Sequence, residues 1–456
     1  MKIWNKWTKK LLCLALTAAF SVSFVGCDLG KIFQDASEGL DNFFGDSSAS
    51  IETDGDSSDT ATDSDSSDTA TDSETSDTAT DSDSSDTATD SETSDTATDS
   101  DSSDTATDSE NSDTDTDSTG GSVLETEALS IHFLELGNQY TGDCTLIDIG
   151  DTEILVDAGS RKNSATTIKS YVDKYCADGV LEYVIATHAD QDHIAAFVGN
   201  SGSPLRTGIL YQYQVGTLIQ FNKTNKAALT EKGNQTVYGE YLTAVEYAKG
   251  QGTAVYTALE CWNGENGASR SYTLGDGISL QILYQEFYEK STSDENDYSV
   301  CFLLTQGENN YLFTGDLEKK GETSLVANND LPKCKLYKGG HHGSPTSSTD
   351  TLLSVIQPEI VCVCCCAGSD EYTKTPENQF PSQAFIDRIA PYTDKVYVTT
   401  MVSSDGKKGI SMNGNIVVSC PDGKNVTVTG SNNSLILKET AWFKAERTLP
   451  SAWMPY

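Results

Sequence analysis

The sequence predicts an α/β fold in which β-sheets pack inside and helices cover them, behind a long polar N-terminal segment. Between residues 131 and 400, short apolar stretches of strand length are mixed with a few stretches of helical periodicity. Strands come first, and strands mixed with helices follow in two similar halves. This order is typical of layered domains with sheets between helices. Residues 56–118 contain neither apolar stretches of strand length nor apolar residues at helical spacing.

The first 26 residues have the pattern of an export signal. Four lysines within the first ten residues precede an apolar run over 11–25, which is the order found in secretory signals. The run is shorter than the roughly 20 residues that span a bilayer. It ends at Phe24-Val-Gly-Cys27, and a small residue before Cys resembles a bacterial lipobox. We therefore predict a lipoprotein signal peptide over 1–26 and lipidation of Cys27, with ordinary secretion as the alternative.

Residues 27–123 are predicted to be a disordered linker. Within them, residues 56–118 hold seven copies of a nine-residue repeat of the type Asp-Ser-Ser-Asp-Thr-Ala-Thr-Asp-Ser. Such a segment has almost no apolar side chains to bury, so burial cannot offset the entropy lost on ordering. Calcium binding is the alternative, but the repeat lacks the glycine turns of calcium-binding β-helices. The acidic linker is expected to extend by self-repulsion.

The charge of the chain is distributed unevenly. The formal net charge is −39, and residues 45–122 contribute 25 acidic residues and no basic residue. Residues 123–456 keep 25 basic against 40 acidic residues, a net charge of −15. An acidic domain is poorly suited to a broad nucleic-acid-binding surface, because phosphate backbones attract basic surfaces.

Residues 124–456 are predicted to form the α/β domain. The cysteine-rich run 360–367 is interpreted as a buried strand with Cys as a small apolar residue, since two separated Cys-x-x-Cys pairs of a metal site are missing. Residues 215–271 have the weakest pattern and are interpreted as an insertion on the substrate side. The other predicted strands are 131–136, 144–149, 153–157, 181–186, 278–284, 300–305, 311–314, 335–338 and 395–400, and the predicted helices cover 165–176, 382–389 and a stretch that starts with 194–198.

Four of the five histidines lie in two short clusters, with Asp316 between them in the sequence. In the first cluster, His188 and Asp190 are spaced to share one metal, and the adjacent pair Asp192 and His193 can bind a second. Asp316 could bridge the two ions, and one histidine of the pair 341–342 would complete the second site. Two divalent metals a few ångströms apart can supply a hydrolytic nucleophile at neutral pH. Imidazole and carboxylate ligands suit Zn²⁺, with Mn²⁺ as the alternative.

These clusters also resemble a known family. Thr187-His-Ala-Asp-Gln-Asp-His193 is similar to the metal-binding motif of the metallo-β-lactamase fold, in the variant found in the hydrolase domain of ComEC-type competence proteins. Further segments resemble the family in family order over most of residues 130–390: 133–137 with Gly142-Asp143, then 155–159, 296–299, 313–316 and 338–344. The resemblance implies a four-layer αββα sandwich with a two-metal site at one edge.

Transferred residue by residue, the resemblance implies roles for each candidate. His341 is favoured over His342 as the last ligand, and Asp192, His342 and Lys338 are expected to act in the reaction. His342 and Ser344 would contact a substrate oxygen, Lys338 would neutralise a phosphate oxygen, and Asp157 would orient the first cluster. The implied metal ligands are His188, Asp190, Asp192, His193, Asp316 and His341.

Two departures from the family pattern concern the site. Many members have a third histidine on the first metal, but this chain has no histidine between His193 and His341. Asp297, Asn296 or a water is expected to take that place. Phe380 stands where the family tends to have a late histidine, so a polar contact to substrate is predicted to be lost or moved.

The predicted function is hydrolysis of phosphoester bonds. An oligonucleotide, a nucleotide or a cell-wall phosphodiester is the expected substrate. Hydrolysis of lactone or amide bonds, or a non-catalytic binding module, are the alternatives. The enzyme is expected at the extracellular face of a bacterial cell membrane, held there only by the N-terminal lipid, or else secreted. No protein partner is predicted.

Overall fold

The structure is a computed structural model that describes residues 126–200 and 206–455. The predicted signal peptide, the lipidation site Cys27 and the acidic repeat lie outside the described residues. None of the described helices has the length and apolar character needed to cross a membrane.

The first of two eight-stranded sheets contains the N-terminal strands of the domain. Four consecutive strands at one end of the sheet, over Thr152–Val156, Val180–Ala186, Gln214–Gln220 and Ala254–Thr257, pair in parallel, and the other neighbours pair antiparallel. The two strands on either side of Gly150-Asp151 pair antiparallel and form a hairpin. In spatial order the strands are β16 (Thr427–Gly430), β15 (Ile416–Cys420), β1 (Leu129–Phe133), β2 (Thr145–Ile149), β3 (Thr152–Val156), β4 (Val180–Ala186), β5 (Gln214–Gln220) and β6 (Ala254–Thr257).

The second sheet contains the later strands. Its strands pair in parallel from β10 to β13 and antiparallel elsewhere. In spatial order the strands are β14 (Gly409–Ser411), β13 (Val396–Val402), β12 (Ile360–Ala367), β11 (Leu336–Lys338), β10 (Asn309–Phe313), β9 (Phe302–Gln306), β8 (Ile278–Ile282) and β7 (Ser271–Gly275).

Helices cover the outer faces of the sheets. Short 3₁₀ segments also occur, of which Asn296–Tyr298 and Gly340–Gly343 lie next to the site described below. The helices of the described chain are α1 (Ser164–Val172), α2 (Gln191–Val198), α3 (Ile209–Gln212), α4 (Val237–Gly250), α5 (Ala258–Asn263), α6 (Lys319–Asn328), α7 (Asp350–Ile356), α8 (Gln383–Ile389) and α9 (Ala441–Glu446).

The two sheets pack face to face. The Phe133 ring of the first sheet stacks on Phe313 of the second with centroids 6.3 Å apart, and Phe302 stacks on Phe313 at 4.6 Å. Strand β12 is buried on both faces, as its cysteine-rich sequence predicted. Cys362 and Cys364 pack into the core between the sheets. The residues that alternate with them along the strand pack into the core beneath the outer helices. The αββα sandwich implied by the resemblance is therefore confirmed.

The interpretation of residues 215–271 as an insertion was wrong. Strand β5 pairs in parallel with β4, and β6 pairs with β5, so this segment completes the first sheet. Helix α4 packs its buried residues, such as Tyr241, against Phe197 of α2. Of this stretch, residues 221–236 have almost no regular structure, and Lys226 within them forms an ion pair with Asp190.

Candidate metal centre

The site is built where strands of both sheets end at one edge of the sandwich. Asp157 directly follows β3, and Thr187 follows β4. Asp316 comes three residues after β10, and the pair His341-His342 follows β11. The carboxyl ends of neighbouring parallel strands meet at the same sheet edge, which brings residues distant in sequence together. The Val300 backbone N–H donates to the Thr187 carbonyl oxygen at 2.9 Å, which ties the first histidine cluster to the second sheet.

Four buried side chains converge on one point. Asp143, His193, Asp316 and His342 each offer a ligand atom, and these atoms lie within 4.8 Å of one another. Asp316 Oδ2 is 3.0 Å from the Nε2 atoms of both His193 and His342. Asp192 Oδ2 is 3.3 Å from His342 Nε2. The structure therefore brings together the predicted second metal site, with Asp143 added and with His342 rather than His341 supplying the last imidazole.

The tautomers of the two imidazoles direct two nitrogen lone pairs and the Asp316 carboxylate at one point. His193 Nδ1 donates to Asp157 Oδ2 at 2.8 Å, and His342 Nδ1 donates to the Cys364 carbonyl oxygen at 2.9 Å. In its neutral form each ring therefore carries its lone pair on Nε2. These two Nε2 atoms are only 3.3 Å apart and both face the Asp316 carboxylate. Lone pairs and a carboxylate facing one another in a buried site repel unless a proton or a metal lies between them.

The pKa shifts of these groups agree with that conclusion. Burial lowers the pKa of His193 and of His342, but the Asp316 carboxylate raises both well above their usual value, helped by Asp157 and Asp143 respectively. Burial raises the pKa of Asp316, yet the two imidazoles hold it well below its usual value. The Asp316 Oδ1 atom is also buried without a hydrogen-bond partner. The donor set fits a divalent metal such as Zn²⁺, which takes imidazole and carboxylate ligands.

Asp157 is hydrogen-bonded to the first cluster at two residues, Thr187 and His193. Its Oδ1 accepts the Thr187 backbone N–H at 2.8 Å, and its Oδ2 accepts the Thr187 hydroxyl at 2.8 Å as well as His193 Nδ1. The backbone of Asp157 has a φ of 57°, so the carboxylate is placed by a left-handed residue at the strand end. These bonds fix the tautomer and the direction of the His193 ring.

We expect Asp157→Asn to weaken metal binding by about 10–100-fold, because it removes the charge that holds the His193 ring in its metal-binding tautomer. Competition with a coloured chelator would measure the affinity. Asp276→Asn, at an exposed turn between β7 and β8, is the matched control and should leave the affinity unchanged. An unchanged affinity in Asp157→Asn would show that the ring is held by other contacts.

His341 points away from the converging donors. Its Nδ1 lies 3.2 Å from Glu318 Oε1 and 3.1 Å from the Thr346 hydroxyl, and its side chain is partly exposed. Both His341 and His342 have left-handed backbones, with φ of 45° and 54°, and this turn directs the adjacent rings apart. The geometry therefore favours His342, and not the predicted His341, as the ligand.

Lys338 is buried and ion-paired with Asp143, and its ammonium lies 3.8 Å from Asp316 Oδ1. Burial lowers the pKa of Lys338, but Asp143 and Asp316 raise it above its usual value. This position suits holding Asp143 rather than meeting a substrate oxygen. Sequence reasoning assigned no role to Asp143, because a single Asp after a glycine carries no metal-binding spacing. Ser344 shares a hydrogen bond with Thr346 inside the same turn, instead of facing a substrate.

His188 and Asp190 are adjacent to this group but separate from it. The His188 Nε2 atom is buried and lies 3.5 Å from Asp190 Oδ2. Asp297, which was expected to complete a site here, accepts the Gly321 backbone N–H at 3.3 Å. Asn296 donates to Glu318 at 3.2 Å. Neither residue is placed as a ligand for His188 and Asp190.

An aromatic wall borders the metal centre. Phe380 stacks on His342 with centroids 5.9 Å apart, and Tyr372 stacks on Phe380 at 5.3 Å. The Tyr372 hydroxyl donates to Asp192 Oδ2 at 2.6 Å. Sequence reasoning missed Tyr372, which adds a polar contact to Asp192 beside the position of Phe380.

Comparisons with known proteins agree with the fold and the position of the site. The family model of the metallo-β-lactamase superfamily matches residues 137–199, the segment that contains Asp143, Asp157 and the first histidine cluster. Recombination protein 2 of Haemophilus influenzae is 27% identical over 263 residues, which cover 57% of this chain and 26% of that protein. Competence protein ComA of Neisseria gonorrhoeae is 33% identical over 128 residues, covering 28% of this chain and 17% of that protein.

This chain therefore spans about a quarter or less of the length of these two relatives. The metallo-β-lactamase fold protein YhfI of Bacillus subtilis is 12% identical with a TM-score of 0.34, and the match covers 64% of this chain and all of that one. The domain has the metallo-β-lactamase fold, which is generally hydrolytic and binds divalent metals.

Proposed function

We propose that this protein, a hydrolase of the metallo-β-lactamase fold, cleaves phosphoester bonds with a divalent metal held by Asp192, His193, Asp316 and His342. One observation carries the proposal: two imidazole nitrogens and the Asp316 carboxylate converge in a buried site, with Asp192 Oδ2 3.3 Å from His342 Nε2, and a metal ion between them would remove their mutual repulsion. When bound, Zn²⁺ or Mn²⁺ there supplies Lewis acidity that activates water and polarises the attacked group.

The residues of the chain have separate parts in this chemistry. Asp316 faces both imidazoles from one side, and Asp157 holds His193 in the tautomer that keeps Nε2 free for the ion. Tyr372 fixes Asp192 through its hydroxyl. Lys338 forms a buried ion pair with Asp143 next to Asp316, which holds the Asp143 carboxylate in place.

Basic side chains at the edge of the centre support an anionic substrate. Lys226 contacts Asp190 and is 44% exposed, while Arg161 pairs with Glu371, the neighbour of Tyr372, and is 34% exposed. His341 adds a partly exposed imidazole. These groups belong to a domain that is otherwise acidic, so they favour local recognition of a phosphate over broad binding of a long duplex.

The aromatic wall supports a substrate with a flat group beside the phosphate. Tyr372 exposes half of its surface while its ring stacks on Phe380. Bases stack on such rings without strong sequence preference. Two relatives are named as a recombination and a competence protein, which favours short oligonucleotides or nucleotides over a cell-wall phosphodiester.

We place this activity at the outer face of the cell envelope. The N-terminal charge and apolar pattern, Cys27 and the acidic repeat support a lipid anchor followed by a long spacer, with the domain beginning near residue 124. Labelling of the full-length protein with a fatty-acid analogue, compared with Cys27→Ala, tests the anchor. Label that persists in Cys27→Ala would contradict it.

The activity itself is tested with bis(p-nitrophenyl) phosphate and with short oligonucleotides, using protein loaded with Zn²⁺ or with Mn²⁺. We expect release of nitrophenol and cleavage of the oligonucleotides, both abolished by a chelator. Opening of a lactone or hydrolysis of an amide, with the diesters left intact, would establish the other hydrolase class. Metal-loaded protein that cleaves none of these would point to a binding module.

A further inference from the structure

The position predicted for the first metal, at His188 and Asp190, has too few ligands in the structure. His188 and Asp190 lie beside it, but neither belongs to the buried cluster of Asp143, His193, Asp316 and His342. Among residues 126–200 and 206–455, the candidates expected to complete this place, Asp297 and Asn296, bond to Gly321 and Glu318 instead. Two protein donors next to a shared carboxylate are fewer than the three that a catalytic zinc site commonly has.

The position predicted for the first metal already has a positive charge, the Lys226 ammonium, beside it. Lys226 forms an ion pair with Asp190 Oδ1, while the other oxygen of Asp190 faces His188 Nε2 at 3.5 Å. One oxygen of the carboxylate is therefore already paired with a cation, while His188 Nε2 is buried without a hydrogen-bond partner. A divalent ion bound by His188 and Asp190 would lie against the Lys226 ammonium and be repelled by it.

Lys226 is held in position by its own segment of chain. The Asn225 backbone N–H donates to Glu295 Oε2 at 2.6 Å, and the Thr224 hydroxyl donates to Glu295 Oε1 at 2.7 Å. The same Oε1 accepts the Ala189 backbone N–H at 3.3 Å. Glu295, which is 8% exposed, thus joins the segment that carries Lys226 to the one that carries His188 and Asp190. The backbone that leads to Lys226 is therefore fixed beside Asp190, although the lysine side chain itself is 44% exposed.

We propose that the centre holds a single metal ion, at Asp192, His193, Asp316 and His342, and that the Lys226 ammonium replaces the second ion beside His188 and Asp190. The inference rests on the proposed function only in requiring that the four donors bind a metal. Lys226 is then partly exposed beside the single ion, and its ammonium contacts a phosphate oxygen of the substrate.

The test uses Co²⁺ in place of zinc in the full-length protein, because Co²⁺ accepts the same ligands and has a paramagnetic resonance spectrum. The wild-type chain is expected to give the spectrum of an isolated ion. It should retain one more Co²⁺ after dialysis than Asp316→Ala, which serves as the reference for ions held elsewhere. Lys226→Ala is expected to gain a second, weaker ion and the spectrum of a coupled pair. Lys232→Ala, an exposed lysine of the same segment, is the matched control and should behave as wild type.

The possible failures are distinguishable. A coupled pair of ions in the wild-type chain would overturn the inference while leaving the metal-dependent function intact. A Lys226→Ala protein that still holds one isolated ion would also overturn it, because the lysine would then not be what excludes the second. A wild-type chain that retains no more Co²⁺ than Asp316→Ala would refute the metal centre itself, and the inference with it.

Discussion

Replacing Asp316 by Ala is expected to lower the rate of phosphodiester hydrolysis by at least about 10³-fold, the scale seen when a group that acts directly at the reaction centre is removed. Asp316 Oδ2 is 3.0 Å from both His193 Nε2 and His342 Nε2, so it is the shared anionic partner of the two rings. Without it, the centre loses the carboxylate that attracts the ion. The initial rate on bis(p-nitrophenyl) phosphate and the retained metal are the two measurements.

The fold should survive this substitution. Asp316 follows β10 at the edge of the sandwich, and its side chain lies outside the apolar clusters of both sheets. Far-ultraviolet circular dichroism should therefore match that of the wild type. Asp330→Ala, at an exposed position beyond α6, is the matched control and should keep full activity. Undiminished turnover in a folded Asp316→Ala protein would refute the site.

The strands that carry the site were predictable because their sequence pattern is local. Strand β4 is an apolar run that ends at Thr187-His188, and β12 is buried on both faces, which a continuous apolar run predicts. The motif spacing also identified His193 and Asp316 as members of one site. These inferences needed only neighbouring residues and the rule that parallel strands end at the same edge.

Strand β5 was missed because its pattern is interrupted. Gly216 lies in the middle of Gln214–Gln220, and glycine usually weakens a strand. The structure explains the residue: a Cβ at Gly216 would lie 2.7 Å from the Glu182 carbonyl oxygen of the neighbouring strand. Helix α4 was missed for a similar reason, because its buried face is partly Gly239, Ala244 and Ala248, which contrast little with polar neighbours.

The errors within the site have a non-local cause. Which of two adjacent histidines faces the metal depends on the backbone of the turn, and the left-handed conformations of both residues are not visible in the sequence. The roles of Asp143 and Tyr372 depend on Lys338 and Asp192, which lie far away along the chain. Sequence spacing therefore identified the chemistry of the centre but not its full set of residues.

His342→Ala and His341→Ala are expected to differ by about 100-fold or more in activity, although the two residues are neighbours. His342 is fully buried, and its Nε2 lies 3.0 Å from Asp316 Oδ2, so its loss removes a ligand and should lower turnover by about 10³-fold. His341 contacts Glu318 and Thr346 instead, so its loss should cost about tenfold or less and leave the metal bound. Initial rates and metal content, measured on both variants side by side, check this.

The comparison decides between the two assignments of the last ligand, because each variant is the control of the other. Both substitutions leave an alanine in the same left-handed turn, so any strain from the backbone is common to both. The difference between them then reports the imidazole alone. Loss of the metal in His341→Ala with the metal retained in His342→Ala would restore the assignment that the family resemblance implied, and it would require the turn at Gly340–Gly343 to direct His341 inward.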